Sequence, residues 1–184
     1  KRVMLVASQA YSAQYGFNAI HLLQINLYGP DDDFNPKSSH AIPALIRKIY
    51  EAERNGKNFI EVWGDGTATR EFFYVEDAAE GIVLATEKYD KPAPVNLGAG
   101  RAISIKDLAE LICKLMNFKG EIRWDISKIG GQLRRQLDVS LAEKEFGFKA
   151  KTTFEDGLKK TIDWFIANQD AVKRLDNSQK TLEF

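Results

Sequence analysis

Apolar side chains recur at helical spacing in several separate parts of the chain. In residues 1–15 they are three and four positions apart, at Val3, Val6, Ala7, Ala10 and Tyr11. Gly16 follows as a typical C-terminal stop. The clearest predicted helix covers residues 104–118, where Ser104 and Asp107 resemble a capping box. Its buried face is predicted to consist of Ile105, Leu108, Leu111, Ile112 and Leu115.

Strand-like and helical segments alternate along the rest of the chain. Further helices are predicted after Ser38 or Ser39, either of which can cap the next helix, over residues 76–89 and 152–169, and within residues 140–148, where a glycine ends the helix. Short apolar runs typical of strands cover residues 17–29, 58–64, 70–75, 93–100, 121–125 and 135–140. We expect residues 17–29 to be one long, largely buried strand, as in parallel sheets. This alternation predicts an α/β fold.

Composition argues against several classes of function. Among the 184 residues, 26 basic and 26 acidic side chains cancel, which gives no support to nucleic acid or an anionic membrane as partner. No apolar run approaches the ~20 residues of a membrane span. The single cysteine, Cys113, excludes an internal disulfide, indicates a cytoplasmic protein, and is expected in the core. No residues have the spacing of metal ligands.

Two features of the sequence concern a dinucleotide-binding part: the way the chain begins, and the glycines near residue 100. Helical spacing is already present at residue 1, with no N-cap residue and no initiating Met, so we expect this sequence to be the later part of a longer chain. The turn at residues 98–103 has Gly98 and Gly100, but Ile103 where a third glycine would stand. The sequence therefore carries no recognisable dinucleotide motif of its own.

Residues 62–77, VWGDGTATREFFYVED, place a Trp, two glycines and an Arg between two predicted strands. A tight turn needs the glycines but not Trp63 or Arg70. Two interpretations stay open on the residues alone. Either the two side chains support the turn from within, with Arg70 paired to Glu71 or Asp65, or they bind a ligand.

Three stretches of the chain, at residues 26–48, 62–77 and 138–165, resemble the second half of extended short-chain dehydrogenases. The sequences NLYGP at residue 26 and REF at residue 70 are common to many nucleotide-sugar epimerases. The segments SHAIPAL at residue 39 and VWGDGT at residue 62 are most similar to GDP-L-fucose synthases. The resemblance implies an α/β fold that is the C-terminal part of such an enzyme, with the N-terminal dinucleotide-binding part absent.

The resemblance also implies a domain organisation. Residues 1–30 would be the end of the Rossmann-type domain, comprising the active-site helix and the strand after it. Residues 31–169 would form mainly the substrate-binding part, with late Rossmann elements interleaved, and residues 170–184 a flexible tail. The family's catalytic Tyr and Cys would both lie before the first residue of this sequence.

Site residues follow from the same resemblance. It implies that Lys1 and His40 are catalytic: the lysine lowers the pKa of the upstream Tyr, and the histidine is the acid/base partner of the upstream Cys. The implied cofactor-binding residues are Lys1, Gln24, Ile25, Asn26, Leu27 and His40. The implied substrate-binding residues are Asn26, Lys48, Trp63, Arg70 and Arg135.

The function implied is that of a nucleotide-sugar epimerase and reductase. It would convert GDP-4-keto-6-deoxymannose to GDP-L-fucose with hydride from NADPH, NAD being the alternative cofactor, and would act as a homodimer. One departure affects specificity, because Ile129, Gly130 and Leu133 replace the family's Pro, Asp and Pro. Two alternatives therefore stay open: another NAD(P)-dependent nucleotide-sugar 4-epimerase or dehydratase, or a catalytically silent fragment that binds a nucleotide sugar.

Overall fold

The computed structural model describes residues 2–128, 131–169 and 172. Its helices are α1 (Arg2–Tyr15), α2 (Ala41–Arg54), α3 (Val75–Lys88), α4 (Ile105–Leu115), α5 (Ser140–Phe146) and α6 (Phe154–Ala167), with a short 3-10 helix at Ile126–Lys128. None of the helices in this part of the chain is long and apolar enough to cross a membrane. The predictions for Lys1, for Ile129 and Gly130, and for nearly all of the tail fall outside the described residues.

The strands of the described residues are short. They are β1 (Leu22–Gln24), β2 (Leu27–Tyr28), β3 (Phe59–Trp63), β4 (Thr69–Glu71), β5 (Phe73–Tyr74), β6 (Val95–Leu97), β7 (Ala102–Ser104), β8 (Glu121–Asp125) and β9 (Arg134–Arg135). They pair as β1 with β6, β2 with β5, β3 with β8, and in the order β7, β4, β9. The β1–β6, β3–β8 and β4–β9 pairs are parallel. Parallel pairs with intervening helices confirm the predicted α/β class.

Local hydrogen bonds explain why several helices begin and end where the sequence predicts. Ser104 Oγ accepts from the backbone N–H of Asp107 at 2.9 Å, so the predicted capping residue of α4 is confirmed. Thr153 caps α6 in the same way. Gly147 ends α5 with φ +72°, a left-handed conformation that glycine adopts without a steric penalty.

The predicted single strand over residues 17–29 is wrong in detail. Only β1 and β2 are extended within it, and the ladder is interrupted between them. The break includes Asn26, whose side-chain Nδ2 donates to the carbonyl of Glu71 at 2.8 Å and whose backbone carbonyl accepts from Phe73 N at 2.9 Å. Asn26 is thus a polar side chain within an apolar run that bonds the backbone of β4.

Two smaller predictions also differ from the structure. Helix α2 begins after His40, which makes no side-chain cap bond, while Ser38 Oγ donates to Asp33 Oδ2 in the preceding loop. The strand predicted at residues 135–140 is reduced to β9, because the N–H of Leu137 leaves the ladder to donate to a side-chain carboxylate.

The chain divides into two compact units, each assembled from three segments. Unit 1 consists of Lys1–Leu27, Glu71–Ala102 and Gln136–Thr152. Its core joins β1, β5 and β6 to α3 and α5 through ten buried residues: Ile25, Phe73, Ala78, Ala85, Tyr89, Val95, Leu97, Ala142, Phe146 and Phe148. Whether residues 1–30 are the end of a Rossmann-type domain stays a prediction.

Unit 2 consists of Tyr28–Arg70, Ile103–Arg135 and Thr153–Phe184. Its core is formed by the apolar faces of α2, α4 and α6 together with the inward side chains of β3. Phe34, from the loop before α2, stacks on Phe165 of α6 with ring centroids 4.5 Å apart. In β3, buried and outward residues alternate, so Ile60 and Val62 are buried while Trp63 faces outward.

Helix α1 turns its apolar stripe away from the rest of unit 1. None of its residues is buried. The side that is partly covered carries Leu5, Ser8 and Ser12, whereas Val3 is 78% exposed and Val6 64% exposed. The helical spacing predicted for this segment is confirmed, and most of its apolar face is exposed among the described residues.

Gly98→Ala is expected to lower the free energy of unfolding by about 1–3 kcal/mol. A Cβ at residue 98 would lie 2.3 Å from Glu71 Oε1, and the Glu71 side chain is completely buried. Urea unfolding followed by circular dichroism measures the loss. In a Glu71→Ala background the same substitution should cost far less, because the oxygen that it meets is gone. Equal losses in the two backgrounds would contradict this steric explanation.

The Cys113 thiol is expected to be unreactive in the folded protein. Its side chain lies in the core, and burial, followed by the nearby charge of Glu110, raises the pKa of the thiol to about 11. Because the thiolate is the reactive species, alkylation by iodoacetamide at pH 8 should be at least ~100-fold slower than in urea. Mass spectrometry of timed samples provides the measurement, and similar rates in the two states would refute the prediction.

Candidate functional site

The turn at residues 64–68 is closed by its own polar side chains. Asp65 Oδ1 accepts from both the N–H and the hydroxyl of Thr67, at 3.0 and 2.7 Å, and these bonds hold the pKa of Asp65 below its usual value. The strands on either side, β3 and β4, belong to different sheets, so this is not a hairpin. Trp63 and Arg70 take no part in the bonds that close the turn. The interpretation that they support it from within therefore loses its basis.

Trp63 and Lys48 lie side by side on the outward surface of unit 2. The indole is 69% exposed, an unusual state for so large an apolar side chain. Lys48 Nζ lies 5.8 Å from the centre of the ring and donates to the carbonyl of Glu61 at 2.7 Å. A cleft of about 360 Å³ opens beside the two residues, between α2 and β3, and its further lining includes Asn55, Lys57 and Phe59.

Arg70 and Arg135, here called the arginine pair, occupy matched positions on neighbouring parallel strands. The register of β4 and β9 sets Arg70 opposite Arg135. Register partners in a sheet point to the same face, so both side chains leave the sheet on one side. Arg70 Nη1 donates to the carbonyl of Thr69 at 2.8 Å. Within the described residues no acidic side chain forms an ion pair with either member.

Glu71 does not pair with Arg70, contrary to the structural interpretation of the turn. Its side chain is 0% exposed, and its two oxygens accept from the backbone N–H groups of Gly100 and Leu137, both at 2.8 Å. In the turn at residues 98–100, the N–H of Gly100 therefore donates to the Glu71 carboxylate of the protein itself. Sequence reasoning missed this residue, although an acidic side chain in the apolar run EFFYV was the available signal.

His40 is exposed at the N-terminus of α2, and its carbonyl accepts the first helical bond from Ala44 at 3.0 Å. Asp32, in the loop that precedes α2, interacts electrostatically with His40. Burial raises the pKa of Asp32, while a hydrogen bond from Asp33 N and the charge of His40 act in the opposite direction. The imidazole is thus open to an external molecule, with a carboxylate in its vicinity.

The predicted cofactor segment, residues 24–27, presents the side chains at its two ends to solvent. Gln24 and Leu27 are exposed, Ile25 lies in the core of unit 1, and Asn26 is partly buried by its bond to Glu71. Side-chain contact with a ligand is therefore available to Gln24 and Leu27, whereas Ile25 could offer its backbone alone.

The structure therefore arranges the predicted substrate residues of unit 2 as two sets, Lys48 with Trp63 and Arg70 with Arg135. In the residues that the structure describes, no group of three His, Cys, Asp or Glu side chains could hold a metal ion.

Comparison with known proteins identifies the family. The model of the NAD dependent epimerase/dehydratase family matches residues 1–98. A probable GDP-L-fucose synthase 1 from Oryza sativa subsp. japonica is 40% identical over 166 residues, which cover 90% of this chain and 50% of the relative. GDP-L-fucose synthase from Escherichia coli is 37% identical over 171 residues, covering 88% and 53%. GDP-L-colitose synthase from Yersinia pseudotuberculosis is 40% identical over 142 residues, covering 77% and 46%.

Solved structures agree with the sequence comparison. A GDP-L-fucose synthetase from Naegleria fowleri bound to NADP superposes with a TM-score of 0.84 at 29% identity, covering 92% of this chain and 55% of that structure. The chain spans about half the length of the curated relatives it matches. Since the family model covers more than half of the residues and the fold agrees, this chain belongs to the NAD dependent epimerase/dehydratase family.

Proposed function

We propose that this chain is the substrate-binding part of an NADP-dependent epimerase and reductase acting on a GDP-linked 4-keto sugar. The observation that carries the proposal is the arginine pair. Two cations directly opposite each other on neighbouring strands repel, and no carboxylate among the described residues offsets this. A diphosphate would relieve the repulsion, because each guanidinium can donate two parallel hydrogen bonds to phosphate oxygens.

Two further side chains of unit 2 suit the rest of a nucleotide sugar. Trp63 offers an exposed flat apolar face on which a purine can stack. Lys48 adds a third positive charge beside that ring. The relatives named as synthases of GDP-sugars favour guanine as the base, and the colitose enzyme among them makes the identity of the sugar a separate question.

NADP is the proposed cofactor, and residues 24–27 fit part of its site. They begin at the last residue of β1, a parallel strand, and the carboxyl ends of such strands are where α/β sheets bind ligands. Gln24 and Leu27 are exposed there. Bound NADPH would supply the hydride that reduces the 4-keto group. Lys1, the implied ribose ligand, lies outside the described residues.

His40 is proposed to move a proton during epimerisation. Its imidazole is exposed and therefore within reach of an external substrate. A proton next to a ketone can be removed because the carbonyl delocalises the negative charge that remains. His40 would return a proton to the opposite face of that carbon, in partnership with the Cys that the resemblance locates upstream.

A homodimer through α1 is part of the proposal. The stripe of Val3, Val6 and Tyr11 is exposed along a 14-residue helix that contributes nothing to the core. Exposed apolar patches of this kind mark interaction surfaces. A second copy of the same helix would cover the stripe.

Arg70→Ala is expected to weaken GDP binding by roughly 1.5–3 kcal/mol, the contribution of a charge-assisted hydrogen bond. Isothermal titration calorimetry of the purified chain with GDP measures the affinity, and quenching of Trp63 fluorescence provides a second signal. Competition with UDP and dTDP at equal concentration tests the base: preference for either of these would favour an enzyme of different nucleotide specificity.

Arg123→Ala is the matched control for that experiment. Arg123 is also an exposed arginine on a strand, but its guanidinium lies 3.8 Å from the centre of the Phe59 ring and bonds Glu121. Its removal should leave GDP affinity unchanged. The proposal fails if Arg70→Ala binds GDP as the unmodified chain does, or if both variants lose affinity equally.

Val6→Glu is expected to convert a dimer into a monomer, since it introduces a charge into the apolar stripe of α1. Light scattering coupled to size exclusion should give about twice 20.8 kDa for the unmodified chain and 20.8 kDa for the variant. Ile166→Glu, at a half-exposed apolar position of α6, is the control and should remain dimeric. A monomeric unmodified chain would rule out the α1 interface.

A further inference from the structure

We propose that Glu71 is a positioning residue that sets the spacing of the two guanidinium groups in the arginine pair. This inference rests on the proposed function, because it concerns how the arginine pair meets a diphosphate. Glu71 itself touches no substrate. Its carboxylate acts through the backbone, by fixing the register of the two strands that carry Arg70 and Arg135.

The Glu71 carboxylate links the two strand segments whose register pairs Arg70 with Arg135. It follows Arg70 directly in β4. One oxygen accepts from Leu137 N at 2.8 Å, two residues after Arg135. The parallel register that pairs Arg70 with Arg135 would next bring Glu71 opposite Gln136. The bond from Glu71 to Leu137 therefore extends the strand pairing by one step after the ladder has ended.

Such a tether is needed because the ladder is short and its side chains repel. The β4–β9 pairing has two registered positions, Thr69 with Arg134 and Arg70 with Arg135. A slip of one residue would move Arg135 to the opposite face of the sheet, away from Arg70, and would relieve the repulsion between the two cations. Two backbone pairs resist this weakly, whereas a buried carboxylate loses its hydrogen-bond donor if Leu137 moves.

The surroundings of Glu71 hold the carboxylate itself in one place. Its second oxygen accepts from Gly100 N, and the absence of a side chain at Gly98 leaves the space that this oxygen fills. Gln136 Nε2 donates to the Gly100 carbonyl at 2.9 Å, which joins the same turn to the segment after β9. Asn26 Nδ2 binds the Glu71 carbonyl from another direction. The Glu71 side chain is thus held in a single position, and it can in turn hold the backbone of Leu137 in place.

Asp77 provides a matched comparison within unit 1. It is also a buried carboxylate, 5% exposed, and it accepts from the N–H and the hydroxyl of Thr152. It lies on α3 and bonds neither β4 nor the segment after β9. Neutralising Asp77 should therefore disturb stability without disturbing the arginine pair.

The test is a double-mutant cycle with GDP as the probe. Glu71→Gln keeps the shape of the side chain but replaces one acceptor oxygen with an NH₂ group, which then faces a backbone N–H. We expect it to weaken GDP binding by roughly tenfold, and to reduce the further loss caused by Arg135→Ala from roughly tenfold to less than about twofold. Asp77→Asn should lower the melting temperature while Arg135→Ala still causes its full loss.

Amide hydrogen exchange tests the register without any ligand. Thr69 N donates to the Leu133 carbonyl at 2.8 Å and reports on the β4–β9 pairing. Its protection should fall in Glu71→Gln and be retained in Asp77→Asn. Gln136→Ala weakens the same clamp from its solvent side. It provides a milder variant, with an expected loss of GDP affinity of about threefold, should Glu71→Gln fail to fold.

The outcomes separate the two proposals. If the unmodified chain binds no GDP, the proposed function fails, and exchange at Thr69 still decides whether Glu71 sets the register. Unchanged protection of Thr69 in the Glu71 and Gln136 variants overturns the inference. So does an undiminished effect of Arg135→Ala in the Glu71→Gln background, since this would show that Glu71 acts on stability alone.

Discussion

The buried carboxylate of Glu71 constrains three distant parts of the chain at once. A carboxylate out of contact with water must have its oxygens bonded, so Gly100 and Leu137 have to present their N–H groups at the same point. Gly98 has to remain without a side chain for the oxygen to fit. The break in the strand at Asn26 belongs to the same arrangement, because its amide satisfies the Glu71 carbonyl.

The outward surface of unit 2 carries groups whose placement is not explained by packing alone. An indole left in water and two cations set opposite each other are each unfavourable in the isolated chain. Natural sequences keep such local conflicts where a ligand resolves them. The proposed substrate, a nucleotide sugar, has a base and a diphosphate that would do so.

Much of the fold could be predicted from the sequence because its signals are local. The helical spacing of α4, its cap at Ser104 and the glycine after α5 each depend on a few adjacent residues, and all are confirmed. The interruption at Asn26 and the shortness of β9 could not be predicted, because both coincide with bonds to Glu71 made by residues far away in sequence. For the site, the exposure of Trp63 agrees with the ligand interpretation. The matched positions of Arg70 and Arg135 required the strand register, which no local pattern encodes.

The threading of the chain through the two units has a consequence for how the molecule acquires its structure. Each unit takes three segments, and unit 1 needs Gln136–Thr152 to complete the packing of its helices against β6. During synthesis, neither unit can therefore complete its folding until its last segment has left the ribosome. Contacts between such distant residues require the closure of long loops before they contribute, which slows folding. Until then the apolar faces of the helices stay exposed, so the need for chaperones is greatest during translation.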